Sequence, residues 1–258
     1  MARYIELVGV PGIGKSTTYK YLRNIHTDED NWLLLEHLFK NSTPRPVGVK
    51  QKVRTLISKI LGLPMAPKVK VAHDNKFLFD FMAQNEALID IFWDITMTKN
   101  KNLFGKDLRF TTVNYIMMVF KNLQAILDYK TNKCVVLDEG IMINLSHFTN
   151  RALEEPFESQ ISSVLDKFTL PSGIVFFDGD VETVIERTKI RGKLKVEDEN
   201  LSDEMLKKSR EETAFERRKY VEIAEARGIP ILRLDAGDSI ESKAKELAAF
   251  ADSIAKSK

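Results

Sequence analysis

Apolar residues in this chain fall into short continuous runs separated by stretches of helical spacing. Residues 4–8 (YIELV) are a short β-rich run, and residues 17–24 open a helix that reaches about Ile25. Trp32, Leu33, Leu34 and Leu35 make a second run that ends at Glu36. A stretch with Pro and Gly at 42–49 marks a loop, followed by a basic amphipathic helix at 49–61 carrying Lys50, Lys52, Arg54 and Lys59. Over 75–97 the positions Leu78, Phe81, Met82, Leu88, Ile89, Phe92 and Ile95 recur as one helical stripe. Over 112–129 Ile116, Val119, Phe120, Leu123, Ile126 and Leu127 do the same, with a Lys- and Arg-rich joint at 100–110. The runs KCVVLD (133–138) and GIVFFD (173–178) suit central parallel strands covered on both faces. Helices follow at 158–168 and 181–189, then a polar flap at 191–203. A long charged helix begins at Asp203 as its cap and stops near Gly228. Residues 229–234 are the last strand, and Ile240, Ala244, Leu247, Ala248, Ala251 and Ile254 stripe a closing helix.

Five strands alternating with helices predict an α/β fold: a five-stranded parallel sheet flanked by helices, with right-handed crossovers. One domain over 1–258 is the economical organisation, with a helical insertion at 40–132 and a lid at 187–203. Ligands of such sheets bind outside the carboxyl ends of the strands. Glu36 and Asp138 both sit at such ends, and the turn after the first strand is glycine-rich.

Composition narrows the partners. The formal charge of the 258 residues is +2, which gives no bulk electrostatic case for nucleic acid or an acidic membrane. The one cysteine, Cys134, lies in CVVL and reads as a small buried hydrophobe, so no intrachain disulfide forms. The chain reads as opening directly on a strand, so no signal peptide is expected, and no apolar stretch is long enough to span a bilayer. A cytoplasmic location is therefore expected. His26, His37, His73 and His147 fall in no metal-ligand spacing.

The segment GVPGIGKST carries the most specific chemistry. Gly9, Gly14, Lys15 and Ser16 fit G-x-x-x-x-G-K-[ST], the phosphate-binding P-loop. Glycines allow a turn tight enough to aim backbone N–H groups inward, so Gly9, Gly12, Ile13, Gly14, Lys15, Ser16 and Thr17 are the expected nucleotide cradle. Lys15 would reach the β- and γ-phosphates, and the Ser16 hydroxyl would bind Mg²⁺. The expected ligands are thus ATP and Mg²⁺, with a strand before the loop and a helix dipole behind it. Asp138, at the end of CVVLDEG, matches a Walker B carboxylate that holds Mg²⁺ opposite Ser16; a strand-end Asp capping the next segment is the other reading. Glu139 serves either to orient water or to contact an acceptor. Glu36 is placed to take a proton from an attacking hydroxyl, or is a surface residue at a strand end. Arg187 and Arg191, four apart in ERTKIRGK, can turn together onto a transferring phosphate, or belong to a solvated basic face.

Together GVPGIGKST, LLLEH, LDEG and PSGIVFFDGDVETVIERTKIRGK resemble the nucleoside and nucleotide kinase group of P-loop proteins, which includes thymidylate and deoxynucleoside kinases. The likeness covers both ends of the chain and fades between about 40 and 132. It implies a P-loop fold of the nucleotide-kinase type, an enlarged helical acceptor region at 40–132 and lid arginines Arg187 and Arg191 that grip the ATP phosphates. It also implies Glu36 beside the acceptor hydroxyl, and Gln84 as a base-reading residue. His37 stands where the group has Pro, and Glu139 where it has Arg. Those departures leave the acceptor open. A small-molecule kinase of a nucleoside or nucleotide-like acceptor is the leading expectation, and a sugar, glycan or antibiotic hydroxyl is the next. A P-loop ATPase working with a protein or nucleic-acid partner is the rival of another class, favoured by the Asp138-Glu139 pair. The basic stretch 40–110 suggests an anionic acceptor, and the Phe- and Met-rich helix at 75–97 could pack across a homodimer.

Overall fold

Strand β1 (Arg3–Val8) lies at the centre of a five-stranded sheet because, Arg3 and Glu6 apart, its residues are apolar on both faces. Tyr4 and Val8 face one layer of helices; Ile5 and Leu7 face the other. The computed structural model describes residues 2–38, 75–98, 102–103, 106–107, 109–150, 155–190 and 201–257. The expected basic helix at 49–61, most of the flap at 191–203 and Arg191 itself lie outside the described residues.

The helix α1 (Lys15–Ile25) follows β1 through the glycine-rich loop, and β2 (Trp32–Leu34) runs into a short helix α2 (Leu35–Leu38). The single helix expected at 75–97 is two helices, α3 (Asn75–Gln84) and α4 (Glu86–Thr98). Asn85 breaks it: its side chain donates to the Phe81 carbonyl at 2.8 Å, while its own carbonyl accepts the Leu88 and Ile89 amides at 3.0 and 3.1 Å. The basic joint at 100–110 contains a small antiparallel hairpin, β3 (Asn102–Leu103) and β4 (Lys106–Asp107), and α5 (Arg109–Asp128) follows. Next come β5 (Cys134–Leu137) and a 3₁₀ turn (Met142–His147) that the sequence pattern did not announce. The chain then runs through α6 (Phe157–Leu165), β6 (Gly173–Asp178), α7 (Val181–Ile190), α8 (Asp203–Ala226), β7 (Ile231–Asp235) and α9 (Ile240–Lys256). Ser202, not Asp203, caps α8, accepting the Met205 amide at 3.2 Å; Asp203 sits in the first turn, where its charge suits the helix dipole. Gly228, at φ 81°, ends that helix as the sequence pattern expects.

The strand order is β2-β5-β1-β6-β7, and every pair in this sheet is parallel. The expected α/β architecture with a five-stranded parallel sheet between helices is thus present. Helices α3 to α6 and most of the buried face of α8 cover one side, where Phe81 stacks on Phe120 at 4.6 Å and Phe92 meets Phe148 at 5.6 Å. On the other side α1 and α9 pack against Trp32, Leu34, Cys134, Val136, Val175 and Phe177. Cys134 is fully buried, as expected, and burial pushes its thiol up to about 12. No helix among the described residues is long and apolar enough to cross a membrane.

All five strands end at one edge of the sheet. The chain leaves β1 for one side of the sheet, returns beside it as β5, and then crosses to β6 on its other flank. That reversal of direction opens a crevice at the tips of β1, β5 and β6.

Candidate active site at the strand tips

The loop between β1 and α1 bends through three glycines with positive φ: Gly9 (150°), Gly12 (94°) and Gly14 (112°). The turn at Gly12 is required by space as well as by conformation. A Cβ there would lie 2.6 Å from the Thr188 hydroxyl on α7, so the loop can press against that helix only with glycine. Gly14, in the left-handed region, is the N-cap of α1, and no side-chain bond caps that helix. The first turn of α1 therefore points its amides and its positive dipole end into the crevice.

One cavity of about 710 Å³ occupies the crevice, a size suited to small-molecule sites of ~300–1,000 Å³. Gly9, Gly12, Gly14, Lys15, Ser16 and Thr17 line it from the loop, and Asp138 and Glu139 from the turn after β5. Arg187 lines it from α7. Ile13 points instead into the apolar layer under α1, 1% exposed, and contributes its backbone alone to the loop.

Lys15 is buried and folds back on its own loop, its Nζ donating to the Gly9 and Val10 carbonyls at 2.7 and 3.0 Å. Register places Asp138 beside it. Glu6 pairs with Leu137, so Asp138 emerges one residue on, level with Leu7 near the end of β1. Burial and the adjacent Glu139 charge push the Asp138 carboxyl up to about 6, Glu36 adding to the rise; Lys15 and the Ser16 hydroxyl pull it back down. Asp138 Oδ1 is buried and meets no hydrogen-bond donor. A carboxylate with an orphaned oxygen, next to a serine hydroxyl at the end of a lysine-bearing loop, is an oxygen donor set that fits a hard cation such as Mg²⁺. Among the described residues no group of three or more His, Cys, Asp and Glu could hold a metal ion by itself. Mg²⁺ bound with a polyphosphate needs only one or two protein oxygens, so the residues present fit it in that role.

Glu139 faces the cavity and is tied into a polar row. The Tyr115 hydroxyl donates to Glu139 Oε2 at 2.8 Å, and Asn144 donates to the Tyr115 oxygen at 3.4 Å and to the Gly140 carbonyl at 2.7 Å. Burial and then the Glu139 charge hold the Tyr115 hydroxyl firmly protonated. Glu36 does not line the cavity. It lies in the first turn of α2 rather than at the end of β2, is 8% exposed, and binds the Arg23 guanidinium and the Tyr19 hydroxyl. Its charge still reaches Asp138, and Tyr19 is raised by burial, by Glu36 and by Asp138 in that order. Gln84 is exposed at the end of α3 and is absent from the cavity wall.

Several cavity residues carry no sequence signature of their own. Tyr115 and Asn144 arrive from α5 and the 3₁₀ turn. Lys243 and Arg217 arrive from α9 and α8. Lys243 Nζ is enclosed by three carbonyls, Asp235, Ala236 and Asp238, and burial followed by Arg187 lowers its affinity for a proton. Arg187 reaches the same Ala236 carbonyl at 3.2 Å.

The chain matches no protein-family model and no curated protein sequence. The functional reading therefore rests on the arrangement of these side chains.

Proposed function

We propose that this chain is an ATP-dependent kinase that moves the γ-phosphate onto a hydroxyl or phosphate of a small metabolite. The observation that carries this reading is the sharing of one cavity by the glycine loop with Lys15 and Ser16, by Asp138, and by the Glu139–Tyr115–Asn144 row. Donor-type and acceptor-type chemistry then meet at the strand tips.

In this reading the loop amides and the first turn of α1 hold the triphosphate. Lys15 leaves the Gly9 and Val10 carbonyls for the β- and γ-phosphates. Ser16 and Asp138 would hold Mg²⁺, which supplies neutralisation of the phosphate charge. Arg187 offers a further cation from α7. The acceptor oxygen bonds to the γ-phosphorus as the bond from that phosphorus to the β-phosphate oxygen breaks, and ADP leaves with the electron pair. Glu139, at the cavity wall, takes the acceptor proton; Glu36, held by Arg23 and Tyr19, tunes the charge of Asp138 from behind. Positioning and charge neutralisation supply most of the rate.

A nucleoside or nucleotide-like acceptor is proposed first, and a sugar, glycan or antibiotic hydroxyl second. The acidic pair Asp138 and Glu139 favours one rival, a hydrolytic ATPase stimulated by a macromolecule. Acceptor dependence of ADP release separates them. A kinase shows slow basal hydrolysis that a small metabolite stimulates, and Lys15→Ala lowers the stimulated rate by about 100-fold or more. Fast hydrolysis stimulated only by protein or nucleic acid, or full turnover in Lys15→Ala, overturns the proposal.

A further inference from the structure

Four cations line the cavity among the described residues, and three of them already have protein acceptors. Lys15 donates to Gly9 and Val10, Arg187 to Ala236, and Lys243 to three carbonyls. Arg217 differs. It is 9% exposed, and its Nε and Nη1 are buried with no hydrogen-bond partner. Its guanidinium carbon lies 5.1 Å from the centre of the Tyr220 ring, one turn further along α8. Tyr220 is itself fully buried, so it holds the guanidinium from a fixed position.

Unmet donors on a buried charge are expensive to keep. A planar fork whose N–H groups await acceptors matches phosphate oxygens, which can be bound by two parallel hydrogen bonds. The helix that carries it packs on both α7 and the 3₁₀ turn, between the Arg187 side and the Asn144 side of the cavity. We propose that Arg217 is a catalytic cation built into the scaffold, binding the terminal phosphate of the nucleotide. It is supplied by α8 and needs no lid to deliver it. The proposal rests on the nucleotide reading above.

Calorimetric titration of MgATP and MgADP into the full chain, Arg217→Met, Arg217→Lys and Lys15→Ala tests it. Arg217→Met weakens ATP about 10–100-fold, the worth of charge-assisted hydrogen bonds, and changes ADP by less than about threefold. Its ligand-free unfolding midpoint stays at or above that of the unmodified chain, because the substitution removes unmet buried donors. Arg217→Lys keeps charge without the fork and weakens ATP by about 3–10-fold, which decides the matter if the methionine variant does not fold. Equal affinities in the variants, equal losses of ATP and ADP, or a loss of ATP accompanied by a fallen midpoint each overturn the role of Arg217. If the unmodified chain binds neither nucleotide, or Lys15→Ala binds both unchanged, the nucleotide reading itself fails.

Discussion

Glu6 is the least expected residue in the sheet, and replacing it by glutamine gives a sharp test of its charge state. It sits in the central strand with no exposed surface, between Tyr4 and Val8 on the helix-covered face. One carboxyl oxygen accepts the Met142 amide at 2.9 Å, and the other is buried without a partner. Burial raises the carboxyl from 4.5 to about 8, against the downward pull of the Met142, Ile141 and Ile143 amides. Between those two values the folded chain keeps a proton that the unfolded chain has lost. Glu6 therefore contributes its full stability below about pH 4.5, loses it progressively as pH rises, and contributes none of it above about pH 8. At about 1.4 kcal/mol per unit, the whole displacement is worth up to about 5 kcal/mol. Glutamine imitates the neutral acid and cannot ionise. Urea unfolding of both proteins at about pH 5, 6.5 and 8.5 gives two stability curves whose difference isolates this one group. Asp138, raised to about 6 by burial first, slopes in the same sense and cancels in the difference; Tyr4 titrates far above the window. Glu6→Gln should gain a few kcal/mol on the unmodified chain between the acid and alkaline ends. Parallel curves, or a glutamine variant that loses ground as pH rises, would show that Glu6 is ionised in the fold and refute the reasoning.

Two further substitutions test the local geometry. Gly12→Ala forces a Cβ to 2.6 Å from the Thr188 hydroxyl at a φ of 94°, so it should cost about 1–3 kcal/mol of stability. Adding Thr188→Ala should return part of that loss in denaturant unfolding, and no return would locate the strain in the backbone alone. Ser202→Ala removes the cap of α8 and should lower stability by about 1 kcal/mol, while Asp203→Ala should cost less than half of that; the reverse order would make Asp203 the cap.

The sheet was legible because CVVL and GIVFF are short continuous apolar runs, bounded by polar residues and too short for helices, which suit strands covered on both faces. The glycine loop and Asp138 were legible because strand, turn and carboxylate follow each other locally. The break at Asn85 was not, because the apolar stripe of α3 and α4 runs through it undisturbed while a single amide side chain turns the backbone. Glu36 read as a strand end, but β2 stops after three residues and Leu35 already belongs to a helix, which turns Glu36 toward Tyr19 and Arg23. Arg217 left a signal that could have been followed. The buried positions of α8 are Leu206, Arg210, Ala214, Arg217, Tyr220, Val221 and Ala224, so two arginines occupy an otherwise apolar and aromatic stripe. A cation at a buried stripe position needs an acceptor from elsewhere in the fold or from a ligand. Tyr115 and Asn144 left no such signal, since they meet Glu139 only through the tertiary fold.

Glu6 also bears on how the cavity keeps its shape. The turn after β5 passes directly over its carboxyl: any Cβ at Gly140 would overlap the Glu6 side chain, and the Met142 amide bonds to it. Glycine in DEG is therefore imposed from beneath, by a residue of the strand that leads into the glycine loop. The same strand sets Asp138 through the pairing of Glu6 with Leu137. One residue thus joins the backbone that aims Lys15 and Ser16 to the backbone that aims Asp138 and Glu139. An apolar residue at this position would pack the strand but leave the Met142 amide without its acceptor, and the turn could then drift relative to the loop. The physical reason for a polar side chain in the middle of an apolar strand is therefore the register of the turn after β5 against the strand that leads into the glycine loop, and its cost in stability is the pH dependence described above.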